Sequence, residues 1–272
     1  EMSKTPLKTV LVGCGMGASH ARAVANLEQF KLTAICDLDK KVAKEVAEET
    51  GNPAIYTDYE KMLKKIKPDI VIIATPNNLH ASMTLEAVAV GVKGIYCEKP
   101  MATNMKDAKK MVAACKKNNI ALAIGHQRRM SPPYLKMRDL IKEGAIGDLE
   151  LIRGTCAGDV LSDGTHTIDS ILYLNGDKEI NWVLGQIHRE EAESEETYVD
   201  DYSVFTGWRY GHVIESGAMA TFEFENGVRG EILTGDIRFP GRLYQDIEIF
   251  GTEGRIWRPG DQGDKEVLIW NK

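Results

Sequence analysis

Three places in the sequence bring together side chains able to do chemistry. The apolar run GIYC (residues 94–97) breaks abruptly into Glu98-Lys99-Pro100. Where a strand of a parallel sheet ends in a loop, an acid and a base project into the crevice that the sheet opens, and Pro100 biases Lys99 towards an extended backbone. The stretch LSDGTHTIDSILYLNG (161–176) sets Asp163, His166 and Asp169 ahead of an apolar helix. Histidine is the side chain suited to exchange a proton near neutral pH, so a base flanked by acids is a candidate for proton transfer. A structural reading stands beside it, in which Ser162 or Asp163 caps the helix and His166 is a hydrogen-bonded partner at a domain interface.

The third place is VGCGMGASHARA (12–23), a glycine turn between an apolar strand and a helix that begins near Ala18. Glycines there let the backbone approach a pyrophosphate seated on the helix N-terminus. Gly13-x-Gly15-x-x-Ala18 satisfies the dinucleotide pattern, with Met16 and Gly17 inside it; a tight structural turn is the alternative. About 20 residues on, the next strand ends in Asp37, an acid that accepts hydrogen bonds from adenosine ribose hydroxyls and repels a 2′-phosphate. That points to NAD over NADP, although Asp37 and Asp39 both stand where a helix N-cap belongs. The later strand end IIATPNNLHA adds Thr75, Pro76, Asn77 and His80 as cofactor contacts or as turn and cap residues. Glu98 and Lys99 and, after the next strand, Gln127 complete the candidate cofactor set. No metal site is indicated.

These residues need a frame to hold them. From Thr9 to Gln127, short β-branched runs (TVLV, LTAICD, AIYT, DIVIIAT, GIYCE, ALAIGHQ) alternate with amphipathic stretches. Continuous apolar strands joined by helices predict a doubly wound parallel sheet covered on both faces. Asp39 is the expected N-cap of a helix stopped by Gly51-Asn52-Pro53, with Val42, Val46 and Ala47 on its apolar face. Leu79, Met83, Ala87 and Val90 are expected to share a face of the helix that Gly91 stops. After Gln127 the texture changes to a Pro-initiated helix (SPPYLKMRDLIKEGAIG) and then to period-two strands, with Asn226-Gly227 at a turn. This predicts antiparallel hairpins with one wet face, in a second α+β domain built on an open, mainly antiparallel sheet. The expected domains are residues 1–125 and 126–272, the first binding the cofactor and the second serving substrate and oligomer contacts.

With 272 residues, two domains are the prior at about 150 residues each. Hydrophobic content of 43% and charged content of 27% are those of a folded globular chain. The net charge of −6, with Lys and Arg scattered, argues against a nucleic-acid partner. The acidic run Glu190 to Glu196 reads as a solvated loop. Five widely spaced cysteines suggest neither a disulfide framework nor a zinc site, which fits a reducing compartment and a cytoplasmic location. No apolar stretch approaches the roughly 18 residues that span a bilayer, so no membrane partner is expected.

Taken in order, the glycine turn with SHARA, the CD after the second strand, ATPNNLHA, EKPMA, GHQRRMSPPY, DGTHTID and GTEGRIW resemble the glucose-fructose oxidoreductase, inositol dehydrogenase and rhizopine-catabolism (Gfo/Idh/MocA) family, along most of the chain. The resemblance implies an N-terminal Rossmann domain and a C-terminal α+β domain, NAD (or NADP) as cofactor, and oxidation of a secondary alcohol on a sugar, cyclitol or related polyol. It places Lys99 between the nicotinamide ribose and the substrate hydroxyl, makes His166 the proton acceptor, and suggests a homodimer or homotetramer. Non-catalytic dinucleotide sensing and NAD-dependent glycoside cleavage are the alternatives within the fold; retention of Lys99 and His166 speaks against the sensor. There are departures. His20 matches the family's turn histidine only if Gly17 is the third glycine, which leaves one residue too few before it. Ser162 stands where an Asp is usual before Gly164, so Asp163, Asp169 or neither orients His166. CAGDVLSDG is short for its segment, and the chain stops at Lys272 before the helix and strand that commonly close the second domain, as in a trimmed member or a chain given without its last residues. Arg128, Arg129 and Tyr134 are ligand contacts or, for the arginines, salt-bridge partners.

Overall fold

A computed structural model describes residues 5–188, 207–235, 244–260 and 266–271. The chain divides into two compact units, Glu1–Gly125 and His126–Lys272. The acidic run Glu190 to Glu196 lies outside the described residues.

In the first unit, β1 (Leu7–Val12), α1 (Gly17–Ala25), β2 (Phe30–Cys36), α2 (Lys40–Glu49), β3 (Ala54–Tyr56), α3 (Tyr59–Ile66), β4 (Ile70–Ile73), α4 (His80–Ala89), β5 (Gly94–Cys97), α5 (Met105–Lys117) and β6 (Ala121–Ile124) follow in order. All pairings are parallel, in the order β3-β2-β1-β4-β5-β6. Successive strand residues face opposite sides, and both sides are covered. Val10, Val12 and Ile73 pack with Met62, Leu63 and Met111 of α3 and α5. Leu11, Ile35 and Ile72 pack with Ala21, Ala43 and Val46 of α1 and α2. This two-sided burial is why the strands read as unbroken apolar runs. The order reverses between β1 and β4, and in open α/β sheets a crevice opens there at the carboxyl ends of the strands.

Local signals act where the sequence places them. The Asp39 carboxylate accepts from Lys41 N and Val42 N and starts α2. On α4 the expected face is corrected at its ends: Leu79 and Val90 are exposed, and His80, Thr84 and Ala87 are the buried residues. Leu79 belongs to a preceding 3₁₀ turn, Asn77–Leu79.

The second unit begins with a 3₁₀ turn (Gln127–Met130), α6 (Pro132–Lys142), β7 (Leu149–Cys156), a π-helical turn (Val160–Gly164) and α7 (Thr165–Leu174). Then come β8 (Ile180–His188), β9 (Gly207–Arg209), β10 (His212–Ile214), β11 (Gly217–Phe224), β12 (Arg229–Gly235), β13 (Gln245–Gly251), β14 (Gly254–Arg258) and β15 (Leu268–Asn271). Seven strands form one sheet in the order β15-β14-β13-β7-β12-β11-β8, antiparallel except for β7 with β12. The Asn226-Gly227 turn joins β11 to β12, and Gly227 takes φ +82°. One sheet face packs Ile152, Phe222, Ile232, Ile247 and Ile249 against Tyr134 and Met137 of α6 and Ile171 of α7. On β8 and β11, Leu184 and Met219 are exposed. The sheet is thus the open, mainly antiparallel one that the period-two patterning predicts.

All five cysteines are free and buried. Burial pushes the thiols of Cys14, Cys97 and Cys156 up to about 12 and that of Cys36 up to about 11, with the neighbouring carboxylates of Asp37, Glu98 and Asp163 adding to it. Since the thiolate is the reacting species, titration of the native protein at pH 8 with a thiol reagent is expected to label none of the five at the rate of a free thiol, and the denatured chain all five. Rapid labelling of any one in the native protein would contradict this burial. Among the described residues no helix is long and apolar enough to cross a membrane.

Candidate active site

The glycine turn solves a packing problem before it meets a ligand. Gly13 has φ +88°, and a Cβ on it would collide with the Ala74 carbonyl oxygen at the end of β4. Gly15 has nothing within 4 Å of the position a Cβ would take. Gly17 is buried at the start of α1, where a Cβ would sit 3.0 Å from Leu11 Cδ1 and 3.1 Å from Ala74 Cβ. Close helix–strand packing is the task of the third glycine, so Gly17 takes that role and Ala18 stands one residue inside the helix. No side chain caps α1, and Met16 at its start is exposed. The open space at Gly15 and the uncapped helix start form a cradle that fits a pyrophosphate.

Asp37 follows β2. Its Oδ2 accepts from Cys14 N at 2.6 Å and its Oδ1 from Asp39 N at 2.9 Å. Because Asp39 caps α2, Asp37 is released from that duty and ties the glycine turn to the end of β2. Each carboxylate oxygen keeps a lone pair for a second donor, which fits the hydroxyls of an adenosine ribose.

At the ends of β4 and β5 the polar residues divide by direction. Thr75 is half-buried, Pro76 exposed and Asn77 buried, while Thr75 Oγ1 donates to Met83 Sδ at 3.5 Å. His80 packs inward. Its ring is fully enclosed, with Nδ1 2.7 Å from the Pro100 carbonyl and Nε2 2.8 Å from the Thr75 carbonyl. Glu98 is buried, with Oε1 2.6 Å from His20 Nε2 and Oε2 accepting from Lys99 N at 3.1 Å. Burial pushes its carboxyl up, but the His20 hydrogen bond and charge and the Lys99 N–H outweigh this and hold it below the ordinary glutamate value. Lys99 is half-buried and joined to Pro100 by a cis peptide bond.

In the second unit His166 lies in the first turn of α7, buried, its ring edge-on to that of His126 at 5.7 Å between centroids. The helix-capping alternative is corrected. Asp159 accepts from Ser162 N at 2.7 Å and caps the π-helical turn, and no side chain caps α7. Asp163 accepts from Tyr244 Oη at 2.5 Å and from Arg209 Nη1 at 2.7 Å. Asp169 accepts from Arg129 Nε and Nη2 at 2.8 and 2.7 Å, and Arg129 also donates to Asp177. Asp163 is thus held by arginine and tyrosine and Asp169 by arginine, which places both as charge anchors around the turn that carries His166. Arg129 is a salt-bridge partner, Arg128 lies over the Tyr244 ring at 5.5 Å, Tyr134 is buried in the core, and Gln127 is exposed at the start of its 3₁₀ turn. Reading the residues missed Arg209, Tyr244 and His126. The first two lie 46 and 81 positions from Asp163 with no local signal; His126 stood in the quoted GHQRRM. Among the described residues no cluster of three or more His, Cys, Asp or Glu could hold a metal ion.

A parallel sheet in this strand order, with a glycine cradle, an acid after the second strand and a polar carboxyl edge, has the build of a dinucleotide-binding Rossmann domain. A family model described as the oxidoreductase family, NAD-binding Rossmann fold, matches residues 7–126, and one for the GFO/IDH/MocA C-terminal domain matches residues 134–257. The chain belongs to the Gfo/Idh/MocA oxidoreductase family and is an NAD-dependent dehydrogenase. It is 26% identical over 263 residues to myo-inositol 2-dehydrogenase of Thermotoga maritima, covering 91% of this chain and 73% of that one. Against D-glucoside 3-dehydrogenase of Escherichia coli the identity is 24% over 247 residues, covering 83% and 69%. In fold it is similar to the WlbA dehydrogenase of Bordetella pertussis, solved with NADH and UDP-GlcNAcA, with TM-score 0.79, 22% identity and coverage of 98% and 82%.

Proposed function

We propose that this dehydrogenase oxidises a secondary alcohol of a sugar, cyclitol or related polyol, with NAD preferred to NADP. The observation that carries the cofactor preference is Asp37, whose carboxylate sits beside the glycine turn with Cys14 N on Oδ2. The relatives named as inositol and glucoside dehydrogenases support the substrate class. NAD, when bound, accepts the hydride. His166 removes the hydroxyl proton, and the Lys99 ammonium stabilises the negative charge that develops on the carbinol oxygen. Asp163 and Asp169 keep the His166 turn in place through Arg209 and Arg129. The open face of the seven-stranded sheet, which exposes Leu184 and Met219 among polar residues, supports a homo-oligomer, and the free thiols fit a reducing cytoplasm.

A screen of polyols and sugars with NAD, following the absorbance of the reduced nicotinamide, tests the reaction. Turnover of at least one carbinol is expected. NAD binding without turnover of any would favour the sensor. For the cofactor, NAD is expected to bind at least about tenfold more tightly than NADP, about 1.4 kcal/mol, and Asp37→Ser to shrink the gap. Equal affinities in the unmodified protein would overturn the role of Asp37.

A further inference from the structure

Lys99 stands between two residues that are each held by a histidine. On its N-terminal side, Glu98 is buried, 2.6 Å from His20 Nε2, and its other oxygen accepts the Lys99 backbone N–H. The Glu98 side chain has little room to leave. Tyr96 packs on the His20 ring at 4.9 Å, and a Cβ on Gly125 would come within 3.0 Å of both Glu98 Oε2 and Tyr96 Oη. On the C-terminal side, His80 is fully enclosed and bridges two backbone carbonyls, that of Pro100 and that of Thr75. Both ring nitrogens thus lie within hydrogen-bond distance of backbone carbonyls on either side of the ring. Neither histidine is placed like a packing residue. A side chain needed only to fill space would be satisfied by apolar neighbours, while these two spend their ring nitrogens on the residues immediately before and after Lys99.

We propose that His20 and His80 are positioning residues for Lys99, His20 acting through the Glu98 carboxylate and His80 through the Pro100 carbonyl. His20 lies on α1, the helix whose start forms the pyrophosphate cradle, so the Glu98 bridge also fixes the Lys99 loop to the cofactor-binding turn. His80 fixes the same loop to the end of β4. This rests on the reading of Lys99 as the group that stabilises the carbinol oxygen, since a cation that must meet one oxygen is sensitive to displacement by about 1 Å, which costs on the order of a hundredfold in rate.

The test uses the full chain with His20→Leu, at a partly exposed position, and His80→Gln, alone and combined with Lys99→Ala. Each histidine variant is expected to lower turnover by about tenfold to a hundredfold while the Kd for NAD changes by less than about threefold. Amide hydrogen exchange of residues 97–101 should rise at least about tenfold, with the rest of the parallel sheet unchanged. In the Lys99→Ala background neither variant should lower the residual turnover by more than about twofold, because the group they position is gone. A loss as large in that background as in the wild type would overturn the proposal, as would unchanged exchange of residues 97–101 in His20→Leu. Should His80→Gln fail to fold, His20→Leu carries the decision. Should no carbinol be turned over by the wild type, the failure belongs to the dehydrogenase reading, and the exchange measurement alone decides whether the histidines hold the loop.

Discussion

Lys99→Ala and His166→Ala should each lower turnover by about two to four orders of magnitude, the range for loss of a positioned acid–base or electrostatic group. The two losses arise differently. On the proposed roles, loss of Lys99 leaves the charge on the carbinol oxygen without an ammonium, and loss of His166 leaves the hydroxyl proton without its acceptor. His166 lies in the first turn of α7, away from the glycine turn in sequence and in the other compact unit, so His166→Ala should leave the Kd for NAD nearly unchanged. Single-turnover rates with NAD and substrate both saturating separate chemistry from binding. Full activity in His166→Ala would move the proton acceptor elsewhere, with Lys99 the first candidate.

Arg209→Ala should destabilise the second unit by about 3–5 kcal/mol, the cost of leaving a buried charge without its partner. Arg209 Nη1 lies 2.7 Å from Asp163 Oδ2 and 3.6 Å from Asp159 Oδ2, and the two acidic side chains are 5% and 1% exposed. Burial works against the Arg209 charge, but Asp163 and the hydrogen bond to it more than compensate, so the guanidinium stays protonated at any working pH. Removing it leaves two buried carboxylates without its charge, Asp163 with Tyr244 Oη and Asp159 with Ser162 N as described donors. The double variant Arg209→Met with Asp163→Leu should lose less than Arg209→Ala, because Asp159 is then the one carboxylate of the two left buried without the guanidinium. Urea unfolding of the full chain, followed by the transition of the second unit, measures both. A loss below about 1 kcal/mol for Arg209→Ala would mean that the pair behaves as a screened surface bridge.

The first unit was legible because its signals are local. A β-branched run, a glycine turn and a capping Asp each act within a few residues, and the two-sided burial of the sheet prints itself on the strands as unbroken apolar runs. The hairpin at Asn226-Gly227 was readable for the same reason. What escaped reading depends on partners distant in sequence. His80 looks like a polar residue at an open strand end until the fold encloses it between the Thr75 and Pro100 carbonyls. Nothing near Asp163 announces that Arg209 and Tyr244 will claim its two oxygens. Whether Gly17 or Ala18 fills the third glycine position also needed three dimensions, because the deciding contacts are with Leu11 and Ala74. On α4, Met83 and Ala87 pack into the core as expected, and the face departs from expectation at its ends, where Leu79 in the preceding 3₁₀ turn and Val90 at the helix C-terminus are exposed.

The central claim is net transfer of hydride from a carbinol carbon to NAD. It is tested most directly in a single turnover, with the protein saturated in NAD and mixed with a substrate from the polyol screen that carries deuterium at the carbinol carbon. The expected result is one deuterium on the nicotinamide ring for each reduced cofactor formed, with an equal amount of ketone product, and neither in His166→Ala on the same timescale. Cleavage of a glycosidic substrate with no net reduced cofactor, and with deuterium returned to the sugar, would contradict it and assign the chain to transient redox in glycoside cleavage.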